Sequence, residues 1–97
     1  MQLHEGCEDE YRRRHAAVWP ELAILLRETG IRNYSIFLEE RTLQLFAFLQ
    51  IDDAAKLDSL AMQPVMQRWW EFMKDIMDTN PDGSPVVVSL NEMFYLP

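Results

Sequence analysis

Residues 31–52, "IRNYSIFLEERTLQLFAFLQID", are the stretch on which the fold turns. Residues 31–40 and 42–52 both carry the β-branched and aromatic side chains of strands, and "EERT" between them reads as a hairpin turn. Alternate side chains of a strand point to opposite faces. One parity holds Tyr34, Ile36 and Leu38, with Leu43, Leu45, Ala47, Leu49 and Ile51 on the return strand. The other parity still holds Phe37, Phe46 and Phe48. Both faces of the sheet are therefore apolar. The few helices this chain can form cover only one of them. A second subunit packed sheet against sheet would cover the other, which predicts a homodimer.

Working outward, "GCEDEYRRRHAAVW" (6–19) reads as a helix with acids in its first turn and arginines following. Pro20 lacks an N–H and its ring would strike the carbonyl of Ala16. The helix therefore breaks near Trp19 and restarts as "PELAILLRETG" (20–30), with Pro20 in the tolerated first turn and Gly30 as the stop. Residues 1–3, "MQL", are strand-like but too short for a full strand. After the hairpin, "DDAAKLDSLAM" (52–62) is a short helix opened by an aspartate. "QPVMQRWWEFMKDIM" (63–77) is a second helix, "NPDGSP" (80–85) a turn cluster, and "VVVSLNEMFYL" (86–96) a last strand. The order β(partial), α, β, β, α(α), β is the split βαβ, ferredoxin-like order: α+β, an antiparallel sheet with helices on one face. Residues 1–97 make a single domain.

Sixteen acids against nine bases give a formal charge of −7, and the only basic cluster is Arg12-Arg13-Arg14. Nucleic acid and anionic membrane surfaces are excluded as partners on that balance. No apolar run approaches the ~18 residues of a membrane span, and the acidic start has none of the features of a signal peptide. Cys7 is the lone cysteine, in keeping with a reducing cytoplasm. Its neighbours Glu5, Glu8, Asp9 and Glu10 disfavour a thiolate, so it is read as incidental. There is no GxGxxG, P-loop, GxSxG or CxxC, and His4 and His15 are the only histidines. No metal and no cofactor are expected.

Two clusters carry chemistry. Tyr11 and His15 are an i,i+4 pair, about 40° apart on a helical wheel, on an otherwise aliphatic stripe. An imidazole titrates near neutrality and both gives and takes a proton. The plainer reading of His15 is a half-buried side chain bonded to a backbone carbonyl. Arg12, Arg13 and Arg14 read as a solvated face, although Arg14 can reach inward. In "RWWEFM", Trp69 sits mid-stripe and Trp70 flanks it by about 100°, so Trp70 is the more exposed of the two. Plain core is the simpler reading of Trp69. Paired indoles also form a stiff surface that stacks on the C–H face of a sugar while each N–H reaches a hydroxyl. Tyr34 either turns its hydroxyl into the same cleft or leaves it in water.

Taken together, "EYRRRHAAVWPEL", "NYSIFL", "QRWWEFMKDIM", "NPDGSPV" and "EMFYLP" resemble the L-rhamnose mutarotase family over essentially the whole chain. The resemblance implies a cofactor-free cytoplasmic isomerase on a ferredoxin-like, dimeric α/β barrel. Such an enzyme interconverts the α and β anomers of L-rhamnose by acid–base ring opening and closure. It places the proton donor at His15 and substrate contacts at Tyr11, Tyr34, Trp69 and Trp70. Ala16-Ala17 departs from the Asn-Pro sometimes found after the histidine. The family's first strand is complete, whereas here the chain starts inside it, so the resemblance also implies a truncated first strand. A sugar-binding or sensing module, and a cofactor-free monooxygenase, are the rival readings of the same fold.

Overall fold

A computed structural model describes residues 1–97. Its centre is an antiparallel pair, β1 (Ile31–Glu39) and β2 (Gln44–Ile51). Phe37 faces Phe46 and Leu38 faces Leu45 across the ladder. The register slips between Arg32 and Ser35, where Asn33 takes a left-handed φ of 51° and its side-chain amide donates to Gln50 Oε1 at 2.6 Å. Such a bulge inserts one residue and inverts the parity beyond it. Ile31 and Ile36, of opposite parity in the sequence, thereby both meet the helices. Leu45 is 4% exposed on that inner face, while Phe37, Phe46 and Phe48 lie 62%, 42% and 58% exposed on the outer one. The return strand starts at Gln44 because Leu43 is itself left-handed, with φ 61°. The turn is held by Glu39, whose carboxylate accepts the N–H groups of Arg41 and Thr42 and the Thr42 hydroxyl.

Residues 1–3 lie beside β2. The Met1 carbonyl accepts from Leu45 N–H at 2.8 Å, and Leu3 N–H donates to the Leu43 carbonyl at 2.9 Å. Isolated antiparallel bridges join Gln2 to Gln44 on one side and Leu3 to Met77 on the other. The continuous sheet is two-stranded. The strand expected over 86–96 does not form in this chain: residues 86–97 have no regular structure, and Val88, Met93 and Phe94 are 80% or more exposed. A strand needs a neighbour for its ladder bonds, and this chain offers the segment only a bridge between Thr79 and Pro85 and the bond from Val86 N–H to the Asp78 carbonyl at its start.

Four helices follow the expected order with shorter bounds. α1 (Glu8–Ala16) stops three residues before Trp19. Trp19, preceding Pro20, is extended at φ −60°, ψ 131°, as the proline ring demands. α2 (Pro20–Glu28) has Pro20 in its first turn and ends into Gly30, whose φ of 97° suits only glycine. α3 (Lys56–Ala61) is preceded by a turn in which the Asp53 carboxylate accepts the Ala55 N–H. α4 (Pro64–Met73) ends at Met73, not Met77, because residues 74–76 turn so that Met77 reaches the bridge with Leu3. One apolar cluster joins Leu3, Tyr11, Leu22, Leu45, Trp69, Met73, Ile76 and Met77, and so ties the N-terminal segment, α1, α2, β2 and α4 together. No helix is long and apolar enough to cross a membrane.

Candidate active site

α1 and α4 pack so that His15 and Trp69 face each other. The Nδ1–H of His15 donates to the carbonyl of Tyr11, one turn earlier, at 3.1 Å. This is the backbone bond expected of an ordinary half-buried histidine, and it has a chemical consequence. With Nδ1 carrying the proton, Nε2 of the neutral ring is left with its lone pair. The imidazole stacks on the Tyr11 ring at 4.3 Å and 25°, and the Trp69 indole meets it edge-on at 5.4 Å and 90°. Trp69 is 6% exposed because Trp19 closes behind it at 5.1 Å and Phe72 at 5.6 Å. The ring faces surrounding His15 therefore have little freedom to move.

A cavity of about 70 Å³ opens beside this pair, lined among others by Tyr11, His15, Tyr34, Trp69 and Trp70. Its volume is enough for more than one water. It continues into a broad trough between the inner sheet face and the helices. Tyr34 shares the inner parity of Ile36, and both line this cavity. Tyr34 keeps 44% of its surface, yet desolvation raises its phenol above the ordinary value. Desolvation also raises the Tyr11 phenol, with Tyr34 nearby adding to it. Both phenols thus stay protonated at neutral pH and act as neutral hydrogen-bond groups. Desolvation lowers the His15 pKa against the opposing pull of the Tyr11 carbonyl. The resting imidazole is neutral, with a base at Nε2.

All five residues singled out from the sequence line this one cavity. Trp70 is half-buried where Trp69 is buried, in line with its place at the stripe's edge. Three contributions went unread. Trp19, treated only as the residue before a proline, braces Trp69. Met66 adds apolar wall from α4. The turn cluster brings Thr79, Gly83 and Pro85 over the cavity. The Asn80 side chain holds that turn by donating to Ser84 Oγ at 3.0 Å and the Pro85 carbonyl at 3.2 Å. Nothing in the spacing of "TNPDGSP" signals where its loop will fold.

Arg14 also turns inward, reaching Asp75 and the end of α4. The Glu10 carboxyl is pulled down to about 2, chiefly by Arg13 and next by Arg14. No group of three or more His, Cys, Asp or Glu side chains converges as a metal site would require.

One imidazole, stacked on a phenol and met edge-on by an indole beside a small cavity in an α+β frame, is equipped for acid–base chemistry on a small polar molecule. The profile described as L-rhamnose mutarotase matches residues 1–96. An L-rhamnose mutarotase of Burkholderia ambifaria is 54% identical over 96 residues, covering 99% of this chain and 92% of the relative. One of Opitutus terrae is 49% identical with the same coverage. The crystal structure of an L-rhamnose mutarotase from Formosa agariphila superposes with a TM-score of 0.92 at 43% identity, over 100% of this chain and 93% of that one. The chain belongs to the L-rhamnose mutarotase family, isomerases that interconvert anomers.

Proposed function

We propose that this chain interconverts the α and β anomers of L-rhamnose, with His15 moving the proton. The supporting observation is the His15 imidazole, oriented through Nδ1 by the Tyr11 carbonyl and walled by aromatic rings beside a cavity. Ring opening of a pyranose removes a proton from the anomeric hydroxyl and delivers one to the ring oxygen. The C1–O5 bond breaks as the C1–O1 carbonyl forms. Both oxygens sit on the anomeric carbon, so one nitrogen serves both. Nε2 takes the proton from O1 and, as imidazolium, donates to O5. Rotation about C1–C2 and the reverse transfers close the ring with the other configuration. Positioned acid–base catalysis typically contributes ~10²–10⁴-fold, a useful gain for a reaction that already proceeds in water. Tyr11 and Tyr34 orient hydroxyls, and Trp69 and Trp70 hold the C–H face of the deoxy-sugar.

The working unit in this reading is a cytoplasmic homodimer on a ferredoxin-like, dimeric α/β barrel. Surface area supports the second copy. A monomer of 11.5 kDa exposes roughly 5,800 Å² by the usual scaling. This chain exposes 7333 Å². The surplus of about 1,500 Å² per protomer is the scale of an obligate homodimer interface. It includes the outer-face Phe37, Phe46 and Phe48 and the apolar segment after Pro85.

Exchange spectroscopy by NMR between the α and β anomeric protons of L-rhamnose tests the function. The expected result is exchange that grows linearly with enzyme concentration. Tryptophan quenching by L-rhamnose without added exchange would instead mark a sensor.

A further inference from the structure

We infer that Arg14 is a positioning residue, a clamp that fixes the rotation of α1 and thereby the place of the His15 imidazole against Trp69. The inference rests on His15 being the proton-transfer group. Arg14 immediately precedes His15 on α1, but its side chain is directed to the end of α4 and is only 10% exposed. Nε donates to Glu10 at 2.7 Å, one turn back on the same helix. Nη1 donates to the Phe72 carbonyl at 2.7 Å and to Asp75 Oδ1 at 2.9 Å, and Nη2 to Asp75 Oδ2 at 3.2 Å. The guanidinium lies over the Phe72 ring at 4.5 Å. Four of the five donors of the fork are thus engaged.

Each partner has a reason to be there. Phe72 is in the last turn of α4, where a helix leaves carbonyls without partners of their own. Arg14 satisfies one of them. Phe72 is also three residues from Trp69 and in ring contact with it at 5.6 Å. One side chain of α1 therefore grips the turn of α4 that carries the indole facing His15. Arg13 differs: it is 69% exposed and its ion pair is with Glu10 on its own helix. Such a pair cannot orient α1 against anything else.

The geometry sets the size of the effect. Side chains sit ~5–6 Å from a helix axis, so a rotation of about 10° displaces the imidazole by about 1 Å. A displacement of that size can cost ~10²-fold in rate. Lysine keeps the charge but has three donors on a point-like head and no planar fork.

The test compares R14K, R14Q and the milder D75N with the unaltered chain, below their melting temperatures. The measurements are kcat and KM for L-rhamnose anomer exchange and the ring-proton shifts of His15, which the Tyr11 and Trp69 rings displace. Expected are losses in kcat of about 10²-fold for R14Q and about 10-fold for R14K and D75N, on the scale above. KM should stay within about 3-fold, the His15 resonances should move, and R14Q/D75N should be no worse than R14Q. A clamp that only held the fold together would lower the melting temperature and leave kcat and the His15 shifts alone. That outcome in a folded variant overturns the inference. Should the unaltered chain fail to exchange L-rhamnose while the variants still shift the His15 resonances, the substrate reading falls and the clamp stands.

Discussion

Replacing His15 by alanine separates its chemical role from its structural one. The side chain makes one backbone hydrogen bond at 3.1 Å, one stacked contact at 4.3 Å and one edge contact at 5.4 Å. A net hydrogen bond contributes ~1 kcal/mol and an aromatic pair ~0.5–1.5 kcal/mol. Their sum is about 2–4 kcal/mol, an upper figure because the half-buried ring is partly solvated and water can take the vacated volume. A domain of this length holds roughly 5–10 kcal/mol, so the variant stays folded. Its melting temperature drops by at most roughly 10–30 °C, at ~4–8 °C per kcal/mol. Losing the proton shuttle costs ~10²–10⁴-fold, or about 3–5 kcal/mol of barrier at 1.36 kcal/mol per decade. Exchange spectroscopy on the anomeric protons reads the rate, a thermal melt reads the fold, and tryptophan quenching by L-rhamnose reads binding. The expected result is a folded, sugar-binding protein with little exchange left. A folded H15A with a rate within 3-fold of the unaltered chain refutes the reasoning.

Further expectations follow the same geometry. Because burial lowers the His15 pKa below 6.5, exchange should hold level from pH 8 to 7 and fall only at acid pH as Nε2 is protonated. The stability sign agrees: below 6.5 the unfolded chain takes up a proton that the folded ring resists. Folded stability then declines until pH reaches the lower, folded pKa, so a rate falling with a midpoint above 6.5 contradicts the assignment. Trp69→Ala, at a site 6% exposed, should cost ~3–5 kcal/mol and show first in the thermal melt. Half-buried Trp70→Ala should instead raise KM by about 10-fold with a smaller thermal effect, and the reverse ranking would misplace the sugar wall. Phe48→Glu, on an outer face where Phe48 is 58% exposed, should shift sedimentation from dimer to monomer; an unaltered chain that already sediments at 11.5 kDa ends the dimer proposal.

Local chemistry made much of this legible in the sequence. The i,i+4 spacing of Tyr11 and His15 needs only a helix to bring the two rings together, and α1 supplies it. Pro20 and Gly30 act through their own backbone restrictions, so the second helix starts and ends where they stand. What escaped depends on contacts distant in sequence. The left-handed Asn33 inverts the strand parity and admits Ile31 to the inner face, a backbone choice that alternation cannot reveal. α4 stops at Met73 because Met77 is drawn to Leu3, across more than seventy residues of chain. The segment after Pro85 has the composition of a strand, but strand formation requires an edge, and sequence says nothing of where the edge is. The inward turn of Arg14 depends on Asp75 and Phe72 and is likewise invisible to a wheel drawn for α1 alone.

A crystal structure of the chain with L-rhamnose bears most directly on the central claim. The account places the sugar in the cavity beside Tyr11 and Trp69, with Nε2 of His15 within ~2.6–3.2 Å of the anomeric or ring oxygen. A sugar bound elsewhere, or Nε2 directed away from both oxygens with another group in contact with them, contradicts it.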